Sequence, residues 1–222
     1  MVSKRLRAFL AEHPMCCFCG GEVPATSIDH VPSRQMFSLR RRPKGLEFPA
    51  CETCNKATAG HEQVAAMLAR VYPDPVSKDE QDEVKRIMRS VKRQQPLLFA
   101  ELAPSWRQQY DFQRSMGAST SGGALNAGGP ILNRSIKAFG AKLALALHYE
   151  ETGQIIPADG GVAVRWYTNW DRMHDRIPAS IFPLIGGPKT LQQGRLSVRR
   201  AIRIQPRLQR RRQHRVICVR FP

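Results

Sequence analysis

M-C-C-F-C-G-G (15–21), I-D-H-V-P-S-R-Q-M-F (28–37) and F-P-A-C-E-T-C-N-K (48–56) set two Cys-x-x-Cys pairs on either side of an acid–histidine dipeptide. Cys16/Cys19 and Cys51/Cys54 each put two thiolates on one tight turn, and two such turns supply the four sulfurs of a tetrahedral Zn²⁺ site. Four thiolates leave no open coordination position, so the zinc is a staple and not a catalyst. Cys17 competes with Cys16 for the first place, but only one residue lies between Cys17 and Cys19, so Cys16 is preferred. Thirty-one residues separate Cys19 from Cys51. That is more than a plain zinc ribbon needs, so the insert, which holds Asp29 and His30, carries its own structure and the purpose of the site.

Over residues 15–65 these motifs resemble the HNH endonucleases of the zinc-containing ββα-metal class. The resemblance implies that His30 is a general base and that Asp29 and Asn55 hold one catalytic divalent metal. Phosphodiester hydrolysis requires a deprotonated water in line with the leaving oxygen and a hard cation to take up charge, so the residue types suit the chemistry. Carboxylate and amide oxygens favour Mg²⁺ or Mn²⁺. The family's middle Asn is replaced by Leu46, so either a backbone group takes over its work or the finger is weakened. A subgroup of the family carries acidic residues after the second knuckle, where T-A-G-H-E (58–62) offers His61 and Glu62 as further catalytic residues, either within reach of the metal or the phosphate. If a helix begins near Cys54, Glu62 lies two turns beyond Asn55 on the same face. Arg34 and Lys56, which flank the catalytic candidates, are the expected nucleic-acid contacts.

The charge agrees with a polyanionic partner. The 222 residues carry a formal net charge of +17, and residues 176–222 contribute eleven Arg and one Lys with no acid after Asp175. A basic surface draws phosphate polymers by counterion release, so DNA is the expected partner, with RNA also compatible. A shifted reading frame is a second origin for so long an acid-free block. No run of eighteen apolar residues is present, so no membrane span is expected. The start of the chain is a poor signal peptide, and cysteines grouped as metal knuckles point to a reducing compartment, here the cytoplasm.

Periodicity places the remaining elements. Val64, Met67, Leu68 and Val71 extend the helix of the second knuckle, and Ser77 with Glu80 forms a capping box ahead of Val84, Ile87, Met88 and Val91. Residues 117–130 hold five glycines and no charge and read as a flexible linker. Leu132, Ile136, Phe139, Leu143 and Leu147 define a long core-facing helix that ends at Gly153. Alternation over Gly161–Thr168, Leu196–Ile204 and Val216–Phe221 predicts strands of a small antiparallel sheet packed on that helix, with Cys218 as a core thiol.

The fold class is therefore α+β: a ββα-metal finger stapled by a four-Cys zinc site, followed by helices and a small antiparallel sheet. The expected organisation is a nuclease finger over 1–75, a helical segment over 76–116, a linker over 117–130, and a C-terminal helix and sheet with an Arg-rich tail over 131–222. The expected activity is metal-dependent endonucleolytic cleavage of DNA. The rival reading is a zinc-finger nucleic-acid-binding module that has lost catalysis.

Overall fold

The computed structural model describes residues 3–37, 40, 42, 45–71, 77–116 and 124–184, and beyond these the backbone of several short strands. A helix α1 (Lys4–Glu12), capped by the Ser3 hydroxyl, leads into the first knuckle. Next come β1 (Ser27–His30), a 3-10 turn at Arg34–Met36, β2 (Glu47–Ala50) and α2 (Glu52–Arg70). β1 and β2 pair antiparallel, with Ser27 opposite Ala50 and His30 opposite Glu47. Cys51 caps α2 through its sulfur, which accepts from the Cys54 N–H. The second knuckle is therefore also the start of the helix.

α2 runs on to Arg70 and buries Val64, Ala65, Ala66 and Met67. α3 (Lys78–Gln94) begins with the expected Ser77/Glu80 capping box and buries Ile87 and Val91, while Lys85, Arg86, Arg89, Lys92 and Arg93 face solvent. Two further helices, α4 (Pro96–Leu102) and α5 (Trp106–Met116), were not legible from periodicity. α6 (Pro130–Thr152) ends at Gly153 in the left-handed conformation, φ 66°. It packs along α2, and Leu132, Phe139, Leu143 and Leu147 join Val64, Met67, Phe37 and Phe48 in one core.

Of the glycine-rich stretch, residues 117–123 lie outside those described. The remainder is tied down, since the Asn126 N–H donates to Leu102 O at 2.9 Å and its amide to Glu101 O at 3.0 Å. The Glu101 carboxylate accepts from the Ile131 and Leu132 N–H groups, satisfying two orphan donors at the start of α6 and complementing its dipole. The core thus draws on both sides of this stretch.

One expected strand is absent. Residues 161–168 form no strand among the described residues, and they lie along α6 instead. Val164 approaches so closely that a Cβ on Gly140 would stand 2.7 Å from its Cγ1. The Trp166 indole N–H donates to Asn133 Oδ1 at 3.2 Å. Alternation reported a two-sided environment here, but the cover on the apolar side is a helix, and no ladder forms. α7 (Asn169–Met173) follows, with a second capping box from Thr168 and Asp171. Toward the C-terminus the backbone forms β3 (Lys189–Thr190), β4 (Gln192–Gln193), β5 (Leu196–Ser197), β6 (Arg203–Arg207) and β7 (Val216–Arg220). β6 pairs antiparallel with β3 and β7, and β4 pairs with β5. The Cys218 side chain and the packing of this sheet lie outside the described residues. No described helix is long and apolar enough to cross a membrane.

Candidate metal centre and the adjoining charged cluster

The Sγ atoms of Cys16, Cys19, Cys51 and Cys54 all lie within 4.8 Å of one another. Four sulfurs at about 2.3 Å from a tetrahedral Zn²⁺ would stand about 3.8 Å apart, so the set is within a small adjustment of a closed site. Local sequence builds the geometry. In the first knuckle the Gly21 N–H donates to Cys16 O and the Glu22 N–H to Cys19 O. That turn requires positive φ at Gly20 (70°) and Gly21 (76°), and a Cβ on Gly20 would come 2.5 Å from the Ala158 nitrogen. Cys17 turns the other way into the core, and its N–H donates to Pro49 O at 3.0 Å, which joins the knuckle to β2. The preference for Cys16 over Cys17 as ligand follows from this division.

Electrostatics treat the four sulfurs unequally. Burial pushes the Cys16 and Cys54 thiols up, whereas the Cys54 backbone N–H holds Cys51 below its usual value. The donor set fits a soft divalent cation, which would hold all four as thiolates and couple its binding to folding. Among the described residues, no other group of three or more His, Cys, Asp or Glu side chains gathers at metal-binding distance.

Against this staple sits a buried charged cluster. Lys142, on α6, lies 2.5 Å from Asp29 Oδ2 and 2.5 Å from Glu62 Oε1, and donates to Thr58 Oγ1 at 2.8 Å. The Thr58 hydroxyl in turn donates to Glu62 at 2.9 Å. Lys142, Asp29 and Glu62 are at most 9 % exposed; the ammonium donates to Glu62 and Thr58, and its contact with Asp29 Oδ2 is an ion pair without hydrogen-bond geometry. Two carboxylates share one cation, so the cluster carries one negative charge in excess. Burial pushes Glu62 above the usual carboxylate range, in spite of Lys142. Burial disfavours the ammonium too, but Glu62 and Asp29 outweigh it and hold Lys142 above its usual value.

The other expected residues have separate partners. His30 Nε2 faces the Arg34 guanidinium at 3.3 Å, and its buried Nδ1 has no hydrogen-bond partner. Burial, with Arg42 and Arg34 nearby, holds the imidazole below its usual pKa, so it stays neutral over a wider range. The Asn55 amide donates to Ser27 Oγ at 3.2 Å, fixing the first turn of α2 to β1. His61 reaches from α2 to Ser135 of α6 at 3.1 Å. Lys56 is exposed and pairs with Glu52 one turn back. Thus the structure joins Asp29 to Glu62 through Lys142, and it gives His30, Asn55, His61 and Lys56 their own neighbours.

Leu46 lies at the end of the β1–β2 loop, which Arg42 fastens. The Arg42 guanidinium donates to Pro32 O at 2.9 Å and to Leu46 O at 2.6 Å, tying the two ends of the β1–β2 loop where the resemblance expected an Asn. Leu46 itself adopts φ 51°. Sequence reasoning missed both Arg42 and Lys142. For Lys142 a signal existed: of the three cations on α6 it is the one set between Phe139 and Leu143 of the apolar stripe.

Compared with models of known families, with curated proteins and with solved structures, the chain matches none.

Proposed function

We propose that the protein is a metal-dependent endonuclease that hydrolyses phosphodiester bonds in DNA, with its nuclease centre stapled by structural Zn²⁺. One observation carries the reading: a two-stranded hairpin followed by a helix holds Asp29 and His30 on the strand and Asn55 on the helix's first turn, beside the four-Cys cluster. His30 is the general base, and its depressed pKa keeps it able to accept a proton from water near neutral pH. Arg34, 3.3 Å from its Nε2, would bind the phosphate on which the water acts. Asp29 and Asn55 would supply oxygen ligands to Mg²⁺ or Mn²⁺, which would take up charge on the scissile phosphate. Glu62 and His61 are then supporting residues and not ligands.

A second reading has its own observation. Lys142 already neutralises Asp29, as an intramolecular cation would in a zinc-stapled nucleic-acid-binding module without catalysis. Nicking of supercoiled plasmid separates the two. The nuclease reading expects nicking by the wild type with added Mg²⁺ or Mn²⁺ and none by His30→Ala. Plasmid left intact at every divalent-ion concentration, with retained DNA binding, would establish the second.

A further inference from the structure

We propose that the cleft between α6 and the segment 161–168 binds single-stranded nucleic acid, its phosphates on a basic rim and its bases against Trp166. The cleft has a volume of about 1060 Å³. It is an open groove, wide enough for a short run of bases and far too large for a single ion.

Charge selects the ligand. Arg134, Lys137 and Arg165 line the cleft, all three are exposed, and among the described residues none is in an ion pair. Arg134 and Lys137 stand three residues apart, adjacent on one face of α6. Asp171 is the one acid in the lining, and its carboxylate is taken up by the Thr168 N–H at 2.8 Å and hydroxyl at 2.6 Å. An anion entering the cleft therefore meets three cations and one hydrogen-bonded carboxylate, a lining of net positive charge. The aromatic ring selects further, because a rim of cations alone would suit any polyanion. Trp166 is half-buried and held by Asn133, so its ring is in place before a ligand arrives. Ala138 and Ala141 form a shallow floor beside it. A basic groove with prepositioned aromatic rings is how single strands are bound without sequence readout.

The inference deepens the nuclease reading by giving the strand a path, yet it stands on the cleft and is tested by binding alone. Full-length protein without added divalent cation is titrated into a fluorescein-labelled oligonucleotide of about 12 nucleotides, and anisotropy is read across a salt series. Arg134→Ala/Lys137→Ala/Arg165→Ala is expected to weaken binding and to reduce the slope of log affinity against log salt by about 2, from about 0.7 per lost phosphate contact. Trp166→Leu is expected to lower affinity about 5- to 150-fold with the slope unchanged, and Trp166→Phe, which keeps a ring, to restore most of it. Circular dichroism matching the wild type shows that each variant is folded. Wild-type affinity and slope in the triple variant, or equal loss in Trp166→Leu and Trp166→Phe, would overturn the proposal. Equally tight binding of a blunt duplex would overturn the single-strand assignment. If the cleft variants bind as wild type while plasmid is still nicked, the cleft fails and the nuclease reading stands. Lost binding in those variants, with no cleavage by the wild type, is the converse.

Discussion

Lys142→Met removes the cation that a buried pair of carboxylates shares and leaves the surrounding apolar packing nearly filled. Lys142, Glu62 and Asp29 have side chains only 3, 8 and 9 % exposed, so water does little to screen what remains. Breaking a buried ion pair from one side typically costs about 3–5 kcal/mol. A second route sets an upper limit in the same range: the variant can avoid two buried charges by protonating Glu62, which from an ordinary pKa of about 4.3 costs about 3.7 kcal/mol at pH 7, less what the raised Glu62 already costs the wild type. The penalty therefore saturates there, and it shrinks as pH falls. At pH 5 the same protonation costs about 1 kcal/mol. Urea unfolding followed by circular dichroism at both pH values measures it, and the neutral-pH loss corresponds to a midpoint about 6–20 °C lower on heating. Lys142→Met/Glu62→Gln removes one charge of each sign and is expected to recover most of the stability. A Lys142→Met protein within about 1 kcal/mol of wild type at pH 7, or one whose deficit does not change between pH 7 and pH 5, would refute the reasoning.

Three further outcomes are expected. Soluble protein carries one zinc per chain by elemental analysis, and Cys51→Ser loses both the metal and the folded knuckle, since such sites typically contribute about 10–16 kcal/mol of coupled folding; zinc-free, folded wild type would contradict this. His30→Ala lowers plasmid nicking by about 10²–10⁴-fold while zinc content is retained, and the acid limb of the wild-type pH profile lies below the usual histidine range, because burial and two arginines favour the neutral ring. Glu62 binds its proton more tightly in the folded than in the unfolded chain, so its contribution makes stability fall as pH rises from the ordinary carboxylate range toward its raised value. Glu62→Gln should flatten that slope in denaturation measured from pH 4 to pH 8, and an unchanged slope would place the titration elsewhere. The raised Lys142 contributes no slope in this window, because it loses its proton only above the ordinary lysine range.

Several features were legible in the sequence because they are local. Cys-x-x-Cys fixes two sulfurs on one turn whatever surrounds it, and two such turns imply the cluster that forms. The Ser77/Glu80 capping box, the extension of the knuckle helix through Met67 and the stop at Gly153 each depend on residues within a turn or two of one another. The Gly161–Thr168 strand failed for the complementary reason. Alternation records which side chains are covered and not what covers them, and here the cover is α6, reached across Gly140.

The tertiary structure alone decided which charges meet. Asp29 and Glu62 lie thirty-three residues apart, and Lys142 lies a further eighty along the chain, so no sequence period connects them. The cluster forms because α6 packs along α2 and carries its lone buried lysine to the place where β1 and α2 each bury a carboxylate. The same holds for Arg42, which bridges Pro32 and Leu46 by bonding carbonyl oxygens that every residue possesses. A contact to backbone leaves no mark on the identity of the residue contacted, and for that reason the loop's fastening was invisible until the chain was folded.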